Sequence, residues 1–197
     1  MKPRRPAFSA VIALVATAGI AAGSAPSASA VTTEFESSGA GSLSAKALET
    51  QVFTTSAGKW ECGSVAATEA IAAGDSPTLD AEVTYSECTF FGEPASFSPV
   101  DYEFHASGAV TIRKPATVTI DIFGTEACRM TFPAQTVSTL AYKNLSNGNL
   151  EIVPVVAGIA SEGAGSLCEY NETGNAAKGT YEGAFEVHDS GGSIGLG

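Results

Sequence analysis

Four cysteines are the residues of this chain whose chemistry is easiest to define. Cys62, Cys88, Cys128 and Cys168 are even in number and widely spaced, without the C-x-x-C pair that is typical of zinc sites and redox dithiols. Each cysteine could serve as a nucleophile, a metal ligand or half of a disulfide. An oxidising compartment favours two disulfides. Four cysteines allow three pairings, and the sequential one, Cys62 with Cys88 and Cys128 with Cys168, is the simplest.

Nucleophilic hydrolysis needs a serine or cysteine beside a base, and the sequence offers little for it. A formal G-x-S-x-G pattern at residues 191–195 lies in the last residues, where we expect no strand-to-helix elbow. The two histidines, His105 and His188, each end a strand-like run, and we expect both to be solvated rather than to act as bases. The count excludes a histidine-rich metal site, and no EF-hand loop is present.

Carboxylates and aromatic rings are the remaining chemical candidates. With 21 acidic residues, a pair at the spacing of a glycosidase arises by chance, and Asp80 and Glu82 share a strand face that we predict to be solvated. The candidate ligand-contact residues are Trp60, Phe90 and Phe91, although Trp60 is favoured as a core residue. Neighbours on a strand face opposite sides, so one of the two phenylalanines is expected to be exposed. We assign no catalytic residue, cofactor or metal ligand.

The elements that must position these residues are strands. Apolar residues alternate with polar ones at residues 79–85, 117–122, 128–132 and 181–187. Asn147-Gly148 is a strong hairpin signal, because both central residues of a type I′ turn need positive φ. Runs of this kind with one apolar face predict an all-β fold, an antiparallel β-sandwich or barrel linked by two disulfides.

Three segments are harder to assign. Alanine-rich residues 64–73, "SVAATEAIAA", have helical propensity, but alternation and neighbouring strands favour a strand. Residues 31–45 fit either a loose arm or an edge strand. Residues 189–197 show no apolar pattern, and we expect a flexible C-terminal tail after a single domain at residues 31–188.

Residues 1–30 read as a secretory signal peptide, with Lys2, Arg4 and Arg5 before an apolar stretch and Ala28-Ser29-Ala30 as the cleavage site. The expected location is therefore outside the cell, with no membrane insertion after cleavage. These residues hold three of the ten basic residues and none of the acidic ones, so the charge of the remaining chain changes from −11 to −14. Such a charge argues against nucleic acid and anionic membranes as partners.

Six segments also carry a family resemblance in their order along the chain: "GKWEC" (58–62), "YSECTFFG" (85–92), "YEF" (102–104), "PAQT" (133–136), "VAGI" (156–159) and "GTYEG" (179–183). Together with the cysteine placement, they resemble uncharacterised small secreted all-β proteins of soil actinobacteria. The resemblance implies two further cysteines, near Val100 and Lys114, and both are missing here. Loss of both is what a deleted disulfide leaves, so the remaining four should pair among themselves. No activity follows from the resemblance.

Three functions remain open at this point. The first is a secreted, non-catalytic β-domain that acts by binding or as envelope structure, with an unknown partner. The second is a module that binds a small ligand or carbohydrate, which an apolar pocket with a few convergent polar groups would favour. The third is an unrecognised carboxylate-dependent hydrolase, which a carboxylate pair with raised pKa in a cleft would favour.

Overall fold

The computed structural model describes residues 33–197, and the signal peptide predicted at residues 1–30 lies outside the described residues. Within them, nineteen strands and one 3₁₀-helix, Gly174–Ala176, follow one another. The strands are β1 (Phe35–Ser37), β2 (Gly41–Ala47), β3 (Gln51–Thr55), β4 (Gly58–Ile71), β5 (Gly74–Ser76), β6 (Thr78–Phe90), β7 (Glu93–Phe97), β8 (Val100–His105), β9 (Ala109–Ile112), β10 (Ala116–Ile122), β11 (Thr125–Phe132), β12 (Gln135–Ser138), β13 (Leu140–Asn144), β14 (Leu150–Ile159), β15 (Ser161–Ala164), β16 (Tyr170–Glu172), β17 (Gly179–Glu182), β18 (Phe185–Asp189) and β19 (Ile194–Leu196).

The strands form an antiparallel sheet of sixteen strands and a second sheet of three. Long strands β4 and β14 each pair with different partners along their length, and the path β4-β2-β18-β14-β17-β3 returns to β4. From this closed path, an open run of strands continues through β6, β7, β10, β11 and β15 to β16. The all-β, antiparallel prediction is confirmed, and the fold combines a closed ring of strands with an open sheet.

Residues 64–73, the ambiguous segment, lie mostly within a strand. β4 continues to Ile71 and pairs with β6 in register, Val65 opposite Tyr85 and Ala67 opposite Val83. Val65 and Ala67 are buried. Alternation therefore outweighs alanine propensity here, because strand pairing buries one face of the segment.

Both disulfides have the sequential pairing. Cys62 and Cys88 are directly opposite on β4 and β6, with 3.9 Å between their Cα atoms. Cys128 on β11 is linked to Cys168, which precedes β16, with 5.5 Å between Cα atoms. All four sulfurs are thus in bridges, and the four residues are buried. The nucleophile and metal-ligand alternatives for Cys88 are excluded in this structure.

The last residues correct the expected flexible tail. β19 pairs with β1 in the three-stranded sheet, and Ile194 is buried. Asp189 is fully buried and accepts hydrogen bonds from the Ser37 hydroxyl at 2.7 Å and the Gly191 amide at 2.8 Å. A Cβ on Gly191 would lie 2.3 Å from the Ala40 carbonyl oxygen, so the segments around Ala40 and Gly191 cross in backbone contact. The alternation rule missed this segment because glycines dilute its apolar pattern.

Candidate functional site: two phenylalanine turns

Two hairpin turns with the sequence Phe-Gly lie at the same end of the open sheet, where its strands end. Phe91-Gly92 joins β6 to β7, and Phe123-Gly124 joins β10 to β11. Phe91 and Phe123 have φ of 51°, and the glycines that follow have φ of 87° and 75°. Positive φ at both central residues of a two-residue loop is the pattern of a type I′ turn. We call these two loops the phenylalanine turns.

The pairing register places the phenylalanine turns side by side. Ala95 on β7 lies opposite Cys88 on β6 and Ile120 on β10, so the ends of β6 and β10 are at one level. The strand order β6-β7-β10-β11 separates the two turns by two strand spacings, about 10 Å. Both phenylalanines therefore belong to one surface.

Both phenylalanines are exposed where the backbone is least suited to them. Phe91 is 80% exposed and Phe123 is 103% exposed. A bulky residue with positive φ is an outlier, at a cost of about 1–3 kcal/mol, whereas asparagine fits that position well. Strained residues cluster at functional sites. Two identical outliers at the same end of the sheet therefore make these turns the candidate site.

The other two aromatic candidates, Trp60 and Phe90, lie in the core beneath Phe91. Trp60 and Phe90 are buried and stack with ring centroids 4.2 Å apart. Phe91 packs edge-on against Phe90 at 4.5 Å and lies over Gly58, where a Cβ would come within 2.9 Å of its ring. Of the three residues predicted as ligand contacts, the structure leaves Phe91 accessible and places Trp60 and Phe90 in the core.

A groove of about 560 Å³ lies across β11, β15 and the start of β16, and Arg129 and Thr131 are its residues on β11. The ring of Tyr170 lies against Gly163, where a Cβ would approach it to 2.5 Å, and its hydroxyl donates to the Ser161 hydroxyl at 3.0 Å. Half-exposed Leu167 donates its amide to the Ala127 carbonyl at 3.2 Å, near the start of β11. The strand register places the Tyr170 ring on the same face as Gly163 and buried Met130, toward the core. The exposed side chains of Arg129, Glu162 and Asn171 lie on the opposite face, so the groove is lined by polar groups.

Charges around the turns are mainly acidic. Glu93, Asp121 and Glu126 are exposed on the strand ends that bear the turns. The cations on neighbouring strands are paired: Lys59 with Glu61 at 2.7 Å, and Arg129 with Glu126 at 2.6 Å. This surface would repel an anionic ligand.

Histidine-based catalysis has no geometric support in the structure. The Nε2 atom of His105 is 3.2 Å from the Thr111 hydroxyl and 3.1 Å from the Glu103 carboxylate. A nucleophile–base–acid relay uses both ring nitrogens, and here both partners share one. His188 is exposed and contacts Asn149 through Nδ1 at 3.1 Å. The serine of the G-x-S-x-G pattern, Ser193, lies before β19 and bonds with Ser38 rather than with a base.

Two carboxylates in the described residues have shifted pKa values, and both values are lowered. Arg113 lowers the pKa of Glu103, and hydrogen bonds from Asn149 and Asn147 lower that of Glu186. A catalytic acid needs the opposite shift. Within residues 33–197, no group of three His, Cys, Asp or Glu side chains is placed to hold a metal ion.

Three tyrosines form a hydrogen-bonded cluster inside the core. The Tyr85 hydroxyl lies 3.2 Å from that of Tyr102 and donates to Tyr181 at 3.4 Å, and Tyr181 donates to the Gln51 side chain. The neighbouring cavities measure about 30 and 20 Å³. Ligand pockets occupy several hundred Å³, so these two cavities are too small to hold a small-molecule ligand.

The tyrosine cluster predicts loss of stability at alkaline pH. Burial raises the pKa of Tyr85, Tyr102 and Tyr181 above the usual value near 10. A raised folded-state pKa means that stability is complete below about pH 10 and falls above it, by about 1.4 kcal/mol per pH unit for each tyrosine. In urea unfolding at several pH values above about 10, Tyr102→Phe should reduce the loss of unfolding free energy by about 1.4 kcal/mol per pH unit. An unchanged slope would contradict the burial argument.

Sequence reasoning missed one residue of the site, Phe123. The signal for Phe123 was the repeated Phe-Gly dipeptide, since Phe91-Gly92 and Phe123-Gly124 each separate two strand patterns.

No family model, curated protein or solved structure matches this chain. No helix in the described part of the chain is both long and apolar enough to cross a bilayer.

Proposed function

We propose that this protein is an extracellular, non-catalytic binding protein whose binding surface is formed by the phenylalanine turns. The observation that carries the proposal is the pair of exposed phenylalanines with positive φ at the same end of the sheet. Extracellular action is supported by the signal-peptide pattern of residues 1–30 and by two disulfides.

The energetics favour binding over a role in folding. An exposed phenylalanine in a left-handed turn adds strain without the gain from burial, so it weakens the hairpin. A partner that covers the two rings would recover apolar burial worth about 1.5–3 kcal/mol per ring. Rigid aromatic side chains held at fixed spacing lose little entropy on binding, and such residues dominate binding energies.

The double substitution Phe91→Asn/Phe123→Asn tests the proposal. Asparagine suits the first position of a type I′ turn, so the stability of the variant should be unchanged or higher by about 1 kcal/mol per turn. Its binding should nevertheless be lost. We suggest sedimentation of wild type and variant with phenyl-coated beads, phosphatidylcholine vesicles and insoluble neutral polysaccharide. At least one of these surfaces should carry down the wild type but not the variant.

Leu48→Ser provides the matched control. Leu48 is 46% exposed and donates its amide to the Ala184 carbonyl. It precedes the first residue of β3, whereas the Thr55–Gly58 turn follows the last residue of that strand. That turn lies beside Phe90, so Leu48 is remote from the phenylalanine turns. Its substitution should leave sedimentation unchanged. Equal sedimentation of wild type and double variant, or no sedimentation of either, would refute the proposal.

A further inference from the structure

We propose that the phenylalanine turns adsorb to a zwitterionic lipid surface, with the rings of Phe91 and Phe123 in its interfacial layer and the sheet outside it. This inference rests on the proposed function and adds the chemical class of the partner. It depends on three features of the described residues: where the exposed apolar side chains lie, how freely the two rings stand, and which charges lie behind them.

Exposed apolar side chains are concentrated at the end of the sheet that bears the turns. Five large ones are exposed in the described part of the chain, and three of them lie in loops at this end: Phe91, Phe123 and Leu167. Leu167 is in the loop from β15 to β16, and its amide donates to the carbonyl of Ala127, which lies close behind the Phe123 turn on β11. Three separate loops thus present apolar side chains at one end of the sheet.

The two rings stand free of the protein and do not form a flat platform. Phe123 is 103% exposed, and Phe91, which contacts Phe90, is still 80% exposed. A Cβ built on Gly92 or Gly124 would have no atom within 4 Å, so the space beside both turns is open. A rigid, flat partner covers one face of such a ring, whereas lipid surrounds the whole ring. Because apolar burial drives binding, the free-standing rings favour a fluid lipid interface as the partner.

The turns hold their rings on a rigid base. One row of paired residues crosses β6, β7, β10 and β11 behind the turns, and it consists of Cys88, Ala95, Ile120 and Cys128. The cysteines at the two ends of this row belong to the two disulfides. Phe91 and Phe123 each follow the row by three residues, in loops of only two residues. Little conformational entropy is therefore lost when an interface immobilises the rings.

Carboxylates lie behind the rings, at the level that lipid headgroups would occupy. Glu93 is two residues after Phe91, Asp121 is two residues before Phe123, and both carboxylates are exposed. Two residues of a strand span about 7 Å, and apolar groups at a lipid interface lie about 5–10 Å deep. With the rings at this depth, the carboxylates attract the outward-facing ammonium of a choline headgroup and are repelled by anionic lipid. Ring burial thus calls for a lipid surface, and the carboxylates select a zwitterionic one.

Sedimentation with phosphatidylcholine vesicles over a range of lipid concentrations tests the inference. Two rings give weak, reversible adsorption, so we expect half-maximal binding at about millimolar lipid. Phe91→Asn and Phe123→Asn should each raise that concentration by about tenfold or more, whereas Leu48→Ser should leave it unchanged. Thermal unfolding of each variant separates lost binding from lost folding.

Tryptophan substitutions show whether the rings enter the lipid. Phe91→Trp and Phe123→Trp keep an aromatic ring in each turn, and Trp60 is fully buried, so the wild type provides the background signal. With vesicles, the emission of each new tryptophan should shift to shorter wavelength and be quenched by phosphatidylcholine that is brominated on its acyl chains. The emission of Trp60 in the wild type should not change.

Mixed vesicles test the role of the carboxylates. Replacing part of the phosphatidylcholine by anionic phosphatidylglycerol should weaken wild-type binding several-fold at low salt, and Glu93→Gln/Asp121→Asn should remove this difference. A difference that persists in this variant contradicts the selection of zwitterionic lipid.

Three results overturn the inference: wild type that does not bind phosphatidylcholine vesicles, wild type that prefers anionic vesicles, and tryptophans at positions 91 and 123 that the brominated lipid does not quench. If the wild type then still sediments with phenyl-coated beads or neutral polysaccharide, and the double variant Phe91→Asn/Phe123→Asn does not, the proposed function stands and the lipid assignment alone fails.

Discussion

Truncation of Phe90 to alanine should lower the free energy of unfolding by about 3–5 kcal/mol, whereas the same truncation of Phe91 should change it by less than about 0.5 kcal/mol. Phe90 is 4% exposed and stacks on Trp60, so its removal leaves a cavity in the core. Phe91 is 80% exposed, so its removal leaves no buried void. The two substitutions thus distinguish a phenylalanine that stabilises the core from an adjacent one that lies on the surface.

Urea unfolding followed by tryptophan fluorescence measures both variants, because Trp60 is the single tryptophan and contacts Phe90. The binding assays should show the reverse order. Phe91→Ala, which stays folded, should bind less, and any Phe90→Ala protein that remains folded should still bind. Comparable destabilisation by the two substitutions would mean that Phe91 is packed rather than free, and the binding surface would lose its main support.

Joint replacement of Cys62 and Cys88 by alanine should lower the free energy of unfolding by about 2–5 kcal/mol. The bridge closes a sequence separation of 26 residues, and the Cys128–Cys168 bridge closes one of 40. In the chain-entropy view, each restricts the unfolded chain by roughly 3–4 kcal/mol. Because Cys62 and Cys88 face one another across paired strands, the folded sheet should persist without their bond, and the loss should appear as reduced stability at unchanged circular dichroism.

Three measurements control the disulfide prediction. Thiol titration of the unfolded, unreduced protein should find no free thiol, and peptide mapping should recover the two sequential pairs. Single replacement of Cys88 should be worse in practice than the double change, because it leaves Cys62 as a reactive thiol. A double variant as stable as wild type, or a titratable Cys88 in the wild type, would contradict a structural role for this bridge.

Much of the fold could be predicted from the sequence, since local alternation reports directly on which face of a strand is buried. Leu79, Ala81, Val83 and Tyr85 were expected on one face, and all four are buried on β6. The sequential disulfides were the simplest of three pairings rather than a derived result.

Turn chemistry was less predictable. The hairpin at Asn147-Gly148 is confirmed, but Gly148 alone has positive φ, and its amide donates to the Leu145 carbonyl in a longer loop from β13 to β14. Type I′ geometry occurs instead at the phenylalanine turns, where residue preference argues against it. Propensity describes what stabilises a turn, so it fails where a residue serves another purpose. The turn at Phe123 was missed for this reason.

The pairing of the first and last strands that the structure describes has a consequence for how the protein reaches its native state. β1 pairs with β19, and β2 pairs with β18, so the first described strands have partners near the last described residues. A chain synthesised from its N-terminus has to hold these strands unpaired until β18 and β19 are free. Such non-local topology folds slowly, and open strand edges attract other chains in the meantime. We therefore expect the interval before β19 docks to be the period in which this protein depends most on chaperones.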